Sequence, residues 1–262
     1  MSTSRQDAVG TRKHSDVFPE RARRLLNIIV ALIGIVISAP LMLLVALLIK
    51  LESSGPAIYK QPRVGLDRRR NDVPSGHPRR RRCDLGGRVF TMYKFRTMVT
   101  HYRPQAQTWA ARHDLRVTRV GRSLRSTHLD ELPQLFNVIK GDMNIVGPRP
   151  EQPQIFSELR DVVLLYPERQ KVLPGITGLA QVKRGYDMSL DDVRKKVELD
   201  LEYIRGRSAV KDLTIMVRTL PVMANRRVWH SWPVTDESLA SERRERAPPA
   251  RGALRRDIVG TP

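Results

Sequence analysis

The sequence LLNIIVALIGIVISAPLMLLVALLIKL, residues 25–51, decides the fold of this protein because it is an almost unbroken apolar run. At about 1.5 Å per helical residue, the run is long enough to cross the ~30 Å hydrocarbon core of a bilayer. Its apolar part is much longer than the roughly 7 to 15 residues of a cleaved signal peptide. We therefore expect the protein to work at a membrane.

The residues around and inside this run complicate a simple crossing. Basic residues lie on both sides, including Arg24 before the run and Lys60 after it, and the positive-inside bias draws both ends to the cytoplasm. Near the middle are Ser38 and Pro40, and a proline kinks or breaks a helix because it lacks an amide donor. A re-entrant hairpin satisfies both observations. A single kinked span, with everything downstream on the far side, is the alternative that the run alone leaves open.

The composition limits the function classes. The 262 residues carry a net charge of +20, which predicts acidic partners such as nucleic acid, anionic lipid headgroups or phosphorylated substrates. Cys83 is the only cysteine, which excludes an intramolecular disulfide and a cysteine cluster for zinc or iron–sulfur. Roughly 180 residues remain after the membrane run and the polar ends, enough for one compact domain.

Several familiar catalytic signatures are missing from the sequence. It contains no G-x-x-x-x-G-K-[ST] phosphate loop, no H-E-x-x-H zinc helix and no G-x-S-x-G nucleophile elbow. No two aspartates flank a single residue either. This absence argues against the usual metal-binding signature of soluble nucleotide-sugar glycosyltransferases.

The remaining candidate is LRSTHLDELPQL, residues 124–135, where two adjacent carboxylates begin an amphipathic helix. Asp130 and Glu131 can be first-turn acids that interact with the helix dipole, worth about 0.3 to 1 kcal/mol. They can also be functional, with an aspartate as nucleophile or Mg²⁺ ligand and Arg125 neutralising phosphate oxygens. His128 is a weaker candidate, because a lone histidine is more often a local hydrogen-bonding residue.

Five motifs follow one another in this chain: KFRTM at 94–98, LDELPQLFNV at 129–138, KGDM at 140–143, VGPRP at 146–150 and PGITGLAQ at 174–181. In this order they resemble the bacterial sugar transferases, the monotopic phosphoglycosyl transferases that start glycan assembly on polyprenol phosphate. The resemblance covers roughly residues 21–226, and so many ordered matches argue against coincidence.

The resemblance implies a fold that is mainly α with a small β element, in a membrane-embedded monotopic domain. It implies an N-terminal re-entrant helix hairpin, broken at a Ser/Pro element that Ser38 and Pro40 match, and interfacial amphipathic helices. We expect the short form of the family, without the amino-terminal spans of larger relatives. The expected location is the bacterial inner membrane, with the catalytic domain on the cytoplasmic face.

We divide the chain on this basis into four parts. They are a disordered basic arm (1–20), the re-entrant membrane helix (21–52), a cytoplasmic catalytic domain (53–228) with an Arg-rich inserted loop (66–86), and a disordered tail (229–262).

The resemblance also implies a two-step reaction with Mg²⁺ as cofactor. Asp130 attacks the β-phosphate of a nucleoside-diphosphate sugar, here expected to be a UDP-sugar, and forms a covalent phosphosugar intermediate. Polyprenol (undecaprenyl) phosphate then takes the sugar phosphate. Asp130 is the implied nucleophile and a metal ligand, and Glu131 is expected to assist the metal or the incoming phosphate. Arg125 is expected to bind phosphate, and Arg149 to bind phosphate or brace the active-site helix.

Some positions carry less definite expectations. Lys94 and Arg96 are expected to position polyprenol phosphate, although a plain headgroup-binding role fits equally. The Arg-rich loop 66–86 departs from the family pattern, and we interpret it as a surface for anionic membrane lipids. The segment 182–187 lacks the Asn-Gly-Arg arrangement of some relatives, so Arg184 receives no role.

Two other function classes compete with this interpretation. A membrane-anchored basic nucleic-acid-binding protein fits the pI of about 11.0, but the sequence has no recognisable base-reading module and we expect no nucleic acid as partner. A catalytically inactive scaffold for polysaccharide assembly would share the motifs. The sequence leaves the sugar, the downstream glycan and the oligomeric state open.

Overall fold

The structure, a computed structural model, describes residues 20–68, 87–99, 116–183 and 190–224. The expected arm before Glu20, the inserted loop from residue 69 to 86 and the tail 229–262 lie outside the described residues. The described part of the chain is mainly helical with two small sheets. The predicted fold class, mainly α with a small β element, is therefore confirmed.

The apolar run lies in one long helix, α1 (Glu20–Glu52). Inside it, Ser38 Oγ donates to Gly34 O at 2.6 Å, and Pro40 has no N–H for the carbonyl of Val36. Both features favour a bend, yet the backbone stays helical throughout. A bend at Ser38 and Pro40 is compatible with this structure. A loop that divides α1 into two helices is not present.

Among the described residues, α1 is the one helix whose length and composition would let it cross a membrane. Most of its large apolar side chains are exposed on the protein: Leu25, Ile29, Leu32, Ile33, Val36, Ile37, Leu41, Leu43, Leu44, Leu47, Leu48 and Leu51. Exposed apolar surface on this scale marks a contact with lipid or another apolar partner.

The first half of α1 is attached to the rest of the protein by buried polar side chains. Arg23 Nη2 donates to Asp212 Oδ2 at 2.8 Å, and Asn27 Oδ1 accepts from the main-chain N–H of Ile145 at 2.7 Å. Arg24 donates to carbonyl oxygens at the end of a short helix, including that of Val138. The start of α1 is therefore tied to the same domain that follows it in the chain.

The second half of α1 contacts that domain through a different apolar cluster. Val45 and Ile49 are buried there with Phe95 and Leu124. At the helix end, the Glu52 carboxylate accepts hydrogen bonds from main-chain amides at the start of the next helix. One domain thus holds both ends of α1.

Two small sheets support the loops between the helices. Strands β1 (Ile58–Val64) and β2 (Val89–Phe95) pair antiparallel, and the inserted loop connects them. Strands β3 (Asn144–Val146) and β4 (Gly175–Thr177) pair in parallel. Strand β2 ends inside the KFRTM motif, and strand β3 ends at the first residue of the VGPRP motif.

The remaining helices surround these sheets. In chain order they are α2 (Arg119–Thr127), α3 (Gln134–Lys140), α4 (Pro153–Val162), α5 (Leu179–Lys183), α6 (Leu190–Arg205) and α7 (Ala209–Ala224), with short 3₁₀ helices at Leu129–Glu131 and Tyr166–Lys171.

The amphipathic helix that Asp130 and Glu131 were expected to begin is divided in the structure. Leu129–Glu131 is a 3₁₀ helix and α3 begins only at Gln134, because Pro133 has no N–H for the carbonyl of Leu129. The main chain instead makes i→i+3 bonds, such as Leu132 N to Leu129 O at 3.3 Å. The two candidate carboxylates therefore lie in a tight turn ahead of the helix.

Candidate active site

Asp130 and Glu131 lie in the 3₁₀ turn between α2 and α3, and both are buried. His128 immediately precedes the turn with a positive φ of 59°, which bends the chain sharply away from α2. Leu129 and Leu132 pack against the apolar cluster that contains the second half of α1. The candidate site consequently lies next to the long apolar helix.

Glu131 is the centre of a compact charge cluster. Lys94 Nζ lies 3.0 Å from Glu131 Oε1, and Arg149 Nη2 lies 2.6 Å from the same oxygen. Burial alone would raise the pKa of Glu131, but the charges of Arg149 and Lys94 outweigh it and lower that pKa below its ordinary value. Glu131 is therefore a charged acceptor that fixes two cations.

Strand β2 and the VGPRP turn bring these cations to Glu131. Lys94 continues the inward-facing alternation of Phe90 and Met92, both of which are buried in β2. Arg149 lies between two prolines, just after the short strand β3. Burial also lowers the pKa of Lys94, so its charge depends on the neighbouring carboxylates.

Asp130 differs from its neighbour. Within the described part of the chain, no hydrogen bond or ion pair reaches its carboxylate. Burial raises the pKa of Asp130 to about 6, and the charges of Lys94, Arg125 and Arg149 oppose that rise. Asp130 is thus an available carboxylate with three cations nearby.

Arg125 reaches the site from α2. Its Nε donates to Thr97 Oγ1 at 2.9 Å. Gly121 makes this possible, because a Cβ there would lie 2.2 Å from Thr97 O, so only glycine lets α2 come this close. The structure therefore brings Arg125, Lys94 and Arg149 together around Asp130 and Glu131.

Arg96 is not part of this group. It is buried, and its guanidinium donates to carbonyl oxygens at the end of α1, those of Ile49, Ser53 and Ser54. Its expected contact with polyprenol phosphate stays a prediction. The structure adds a role that the sequence did not indicate, which is to hold the end of the apolar helix.

Asn137 is a positioning residue that the sequence analysis missed. Its Oδ1 accepts from Tyr93 N at 3.0 Å and its Nδ2 donates to Thr91 O at 2.7 Å. The amide therefore fastens β2 to α3 one residue before Lys94. The available sequence signal was its position inside the LDELPQLFNV motif, and the structure shows that the side chain is fully buried.

A second charge cluster behind the site was also missed. Arg169 Nε lies 2.7 Å from Asp200 Oδ2, and both side chains are almost completely buried. Lys196 Nζ lies 3.0 Å from Glu151 Oε1. Burial alone would raise the pKa of Glu151, but Lys196, Arg169 and Arg63 lower it to about 2.

The candidate ligands for Mg²⁺ at this site are the carboxylates of Asp130 and Glu131. The described residues contain no group of three or more His, Cys, Asp or Glu side chains that could hold a metal. Mg²⁺ in phosphoryl-transfer sites, however, uses one or two carboxylates together with substrate phosphates. The available carboxylate of Asp130 fits that mode, whereas Glu131 is already engaged by two cations.

Comparison with known proteins supplies the family. The model of the family described as "Bacterial sugar transferase" matches residues 18–74 and 75–226. One relative, the UDP-N-acetylgalactosamine-undecaprenyl-phosphate N-acetylgalactosaminephosphotransferase of Aeromonas hydrophila, is 41% identical over 198 residues, which are 76% of this chain and 42% of the relative.

This chain matches a larger share of two further relatives than of the Aeromonas hydrophila protein. A UDP-glucose:undecaprenyl-phosphate glucose-1-phosphate transferase of Caulobacter vibrioides is 40% identical over 76% of this chain and 68% of its own. The exopolysaccharide production protein PSS of Rhizobium leguminosarum bv. phaseoli is 36% identical over 76% of this chain and 92% of its own. The chain thus spans about two fifths of the first relative and most of the third. On these matches, the chain belongs to the bacterial sugar transferase family.

Proposed function

We propose that this protein transfers a sugar-1-phosphate from a UDP-sugar to undecaprenyl phosphate. One observation carries the proposal: Asp130 is buried, unengaged and close to three cations, while Glu131 is already bound by two of them. A carboxylate in this setting is available to attack phosphorus. The names of the relatives, which specify UDP-sugars and undecaprenyl phosphate, support this pair of substrates.

The proposed reaction has two displacements. In the first, an Asp130 oxygen attacks the β-phosphorus, the bond to the oxygen bridging the two phosphates breaks, and nucleoside monophosphate leaves with that oxygen. In the second, a phosphate oxygen of undecaprenyl phosphate attacks the same phosphorus and the bond to Asp130 breaks. Asp130 returns as a carboxylate, and the product is undecaprenyl-diphosphate sugar, the first lipid-linked species of glycan or exopolysaccharide assembly.

The surrounding residues neutralise charge in this scheme. Phosphoryl transfer needs positioning and charge neutralisation more than acid–base chemistry, and Arg125, Arg149 and Lys94 supply positive charge around Asp130. Mg²⁺, held by Asp130 and the diphosphate oxygens, would neutralise further phosphate charge when bound. Glu131 keeps Lys94 and Arg149 in place.

We also propose that α1 lies in the cytoplasmic leaflet as a re-entrant element. Arg23 and Arg24 fix its start, and Arg96 fixes its end, to the same polar domain. A polar domain does not lie on both sides of a bilayer, so these contacts favour both helix ends on one face. In this proposed placement Asp130 would lie at the lipid surface, within reach of the phosphate of undecaprenyl phosphate.

Helix α7 supports contact with the membrane surface. Its exposed residues Val210, Leu213, Val217 and Leu220 recur every three or four positions, which places them on one face. The opposite face contains the buried Ile215. We propose that this apolar face lies in the interface beside anionic lipid headgroups, as expected for an interfacial amphipathic helix.

The re-entrant placement predicts one-sided labelling. With Cys83 replaced by serine, single cysteines introduced at Arg21 and Lys60 should both react with an impermeant maleimide in inside-out vesicles and be protected in right-side-out vesicles. Pro40→Leu removes the helix-bending residue and should shift part of the population to a through-span. Labelling of the two positions from opposite faces in the parent protein would contradict the re-entrant placement.

The test of the proposed activity is direct. The protein in nanodiscs is incubated with undecaprenyl phosphate, Mg²⁺ and each of a panel of UDP-sugars, and nucleoside monophosphate is measured. We expect release with at least one UDP-sugar, together with a chloroform-soluble sugar product. Absence of release with every nucleotide sugar, from protein that is folded and membrane-bound, would overturn the proposal.

A further inference from the structure

The turn that carries Arg149 is held by an unusually complete set of hydrogen bonds. All four main-chain carbonyl oxygens of residues 148–151 accept one. The donors lie in two parts of the chain, residues 63–64 and 169–175: Gly175 N to Pro148 O at 3.0 Å, Arg169 Nη2 to Arg149 O at 3.1 Å, Arg63 Nη1 to Pro150 O at 3.0 Å and Val64 N to Glu151 O at 2.9 Å.

Two of these donors are arginine side chains, that of Arg169 almost completely buried and that of Arg63 12% exposed. Burying a guanidinium costs several kcal/mol unless it is paired. Arg169 is paired with Asp200 at 2.7 Å, and its Nη1 lies 3.9 Å from Glu151. Arg63 Nη1 lies 3.8 Å from the other oxygen of the Glu151 carboxylate. The charge cluster thus keeps both arginines in place against the turn.

The turn in question determines where the Arg149 guanidinium lies. Prolines on both sides of Arg149 remove backbone freedom, and the hydrogen bonds to residues 148–151 fix what freedom is left. The guanidinium then reaches Glu131 at 2.6 Å. A displacement of about 1 Å in a charge that neutralises phosphate can reduce a rate about a hundredfold.

We propose that Arg63 and Arg169 are positioning residues for the transfer reaction, acting through the carbonyl oxygens of Pro150 and Arg149 to aim the Arg149 guanidinium at Glu131. They act through Arg149 and not on the substrate. The kinetic part of this inference rests on the proposed function, whereas its structural part does not.

The test is a double-mutant cycle between Arg63 and Arg149. Arg63→Met keeps an unbranched chain but removes every donor, and it should lower kcat/KM about tenfold in an otherwise unchanged protein. In an Arg149→Ala background the same change should cost less than about twofold, because the group it positions is gone. Arg63→Lys, which keeps the charge, should recover part of the loss.

Lys196→Met is the matched control. It removes a cation from the same Glu151 carboxylate, whereas the four hydrogen bonds described above to the carbonyl oxygens of residues 148–151 come from other donors. Lys196→Met should change kcat/KM by the same factor in the parent and in the Arg149→Ala background. Equal losses from Arg63→Met in the two backgrounds would overturn the positioning role.

The four proteins of the Arg63 and Arg149 cycle, which are the parent, the two single variants and the double variant, also allow a stability measurement that does not depend on activity. If Arg63 holds the turn, Arg149→Ala should lower the unfolding temperature less in the Arg63→Met protein than in the parent. If the parent releases no nucleoside monophosphate, the proposed function fails, and the stability cycle alone then tests the positioning role. Additive shifts of the unfolding temperature from Arg63→Met and Arg149→Ala would overturn that role. If Arg63→Met does not fold, Arg63→Lys replaces it in both cycles.

Discussion

Asp130→Asn should abolish both the covalent phosphosugar intermediate and product formation, with a loss in turnover of at least about a thousandfold. The substitution keeps the size of the side chain but removes the anion that attacks phosphorus. Within the described residues, the adjacent carboxylate of Glu131 is not available to replace it, because Lys94 and Arg149 engage it. The measurement is incubation with radiolabelled nucleotide sugar and Mg²⁺, without undecaprenyl phosphate, followed by detection of label on the protein.

The controls separate chemistry from folding. Asp161→Asn, at a mostly exposed position on α4, should label as the parent does, and undecaprenyl phosphate should discharge the label from both. Since burial raises the pKa of Asp130 to about 6, less of the carboxylate is ionised at pH 5 than at pH 8, and labelling should be slower at pH 5. Full turnover by Asp130→Asn would exclude Asp130 as the nucleophile and favour a direct single displacement.

Local patterns were sufficient to predict the main elements of the fold. The apolar run 25–51 predicted a membrane helix, and helix α1 spans that run, although it is continuous where a break at Ser38 and Pro40 was expected. Motif order assigned Lys94 and Glu131 to one predicted site but predicted no contact between them, and the structure brings them to 3.0 Å although 37 positions separate them in the chain.

Other features depend on long-range packing that no local pattern encodes. Arg96 lies two positions after Lys94, so continued strand alternation would have placed both on one face. Strand β2 ends at Phe95, however, and Arg96 turns to the end of α1 instead. The Arg169–Asp200 pair could not be inferred for the same reason, because each residue alone resembles an ordinary surface charge.

Glu131→Gln should reduce turnover on the order of a hundredfold while leaving slow formation of the intermediate, because Asp130 is still present. The glutamine keeps the shape of the side chain but no longer balances Lys94 and Arg149. Removing one member of a buried charge cluster also costs roughly 3 to 5 kcal/mol of stability. Initial rates of labelling and the unfolding temperature measure the two effects, with Glu198→Gln on the exposed side of α6 as control.

The dependence on Mg²⁺ distinguishes two roles for Glu131. If it acts by fixing Lys94 and Arg149, as the distances of 3.0 and 2.6 Å indicate, Glu131→Gln should lower the maximal rate and leave the half-saturating Mg²⁺ concentration unchanged. If Glu131 is instead a metal ligand, that concentration should rise and excess Mg²⁺ should restore turnover. Because two cations already occupy the carboxylate, we expect the first result, and rescue by Mg²⁺ would show that the cluster rearranges when substrate binds.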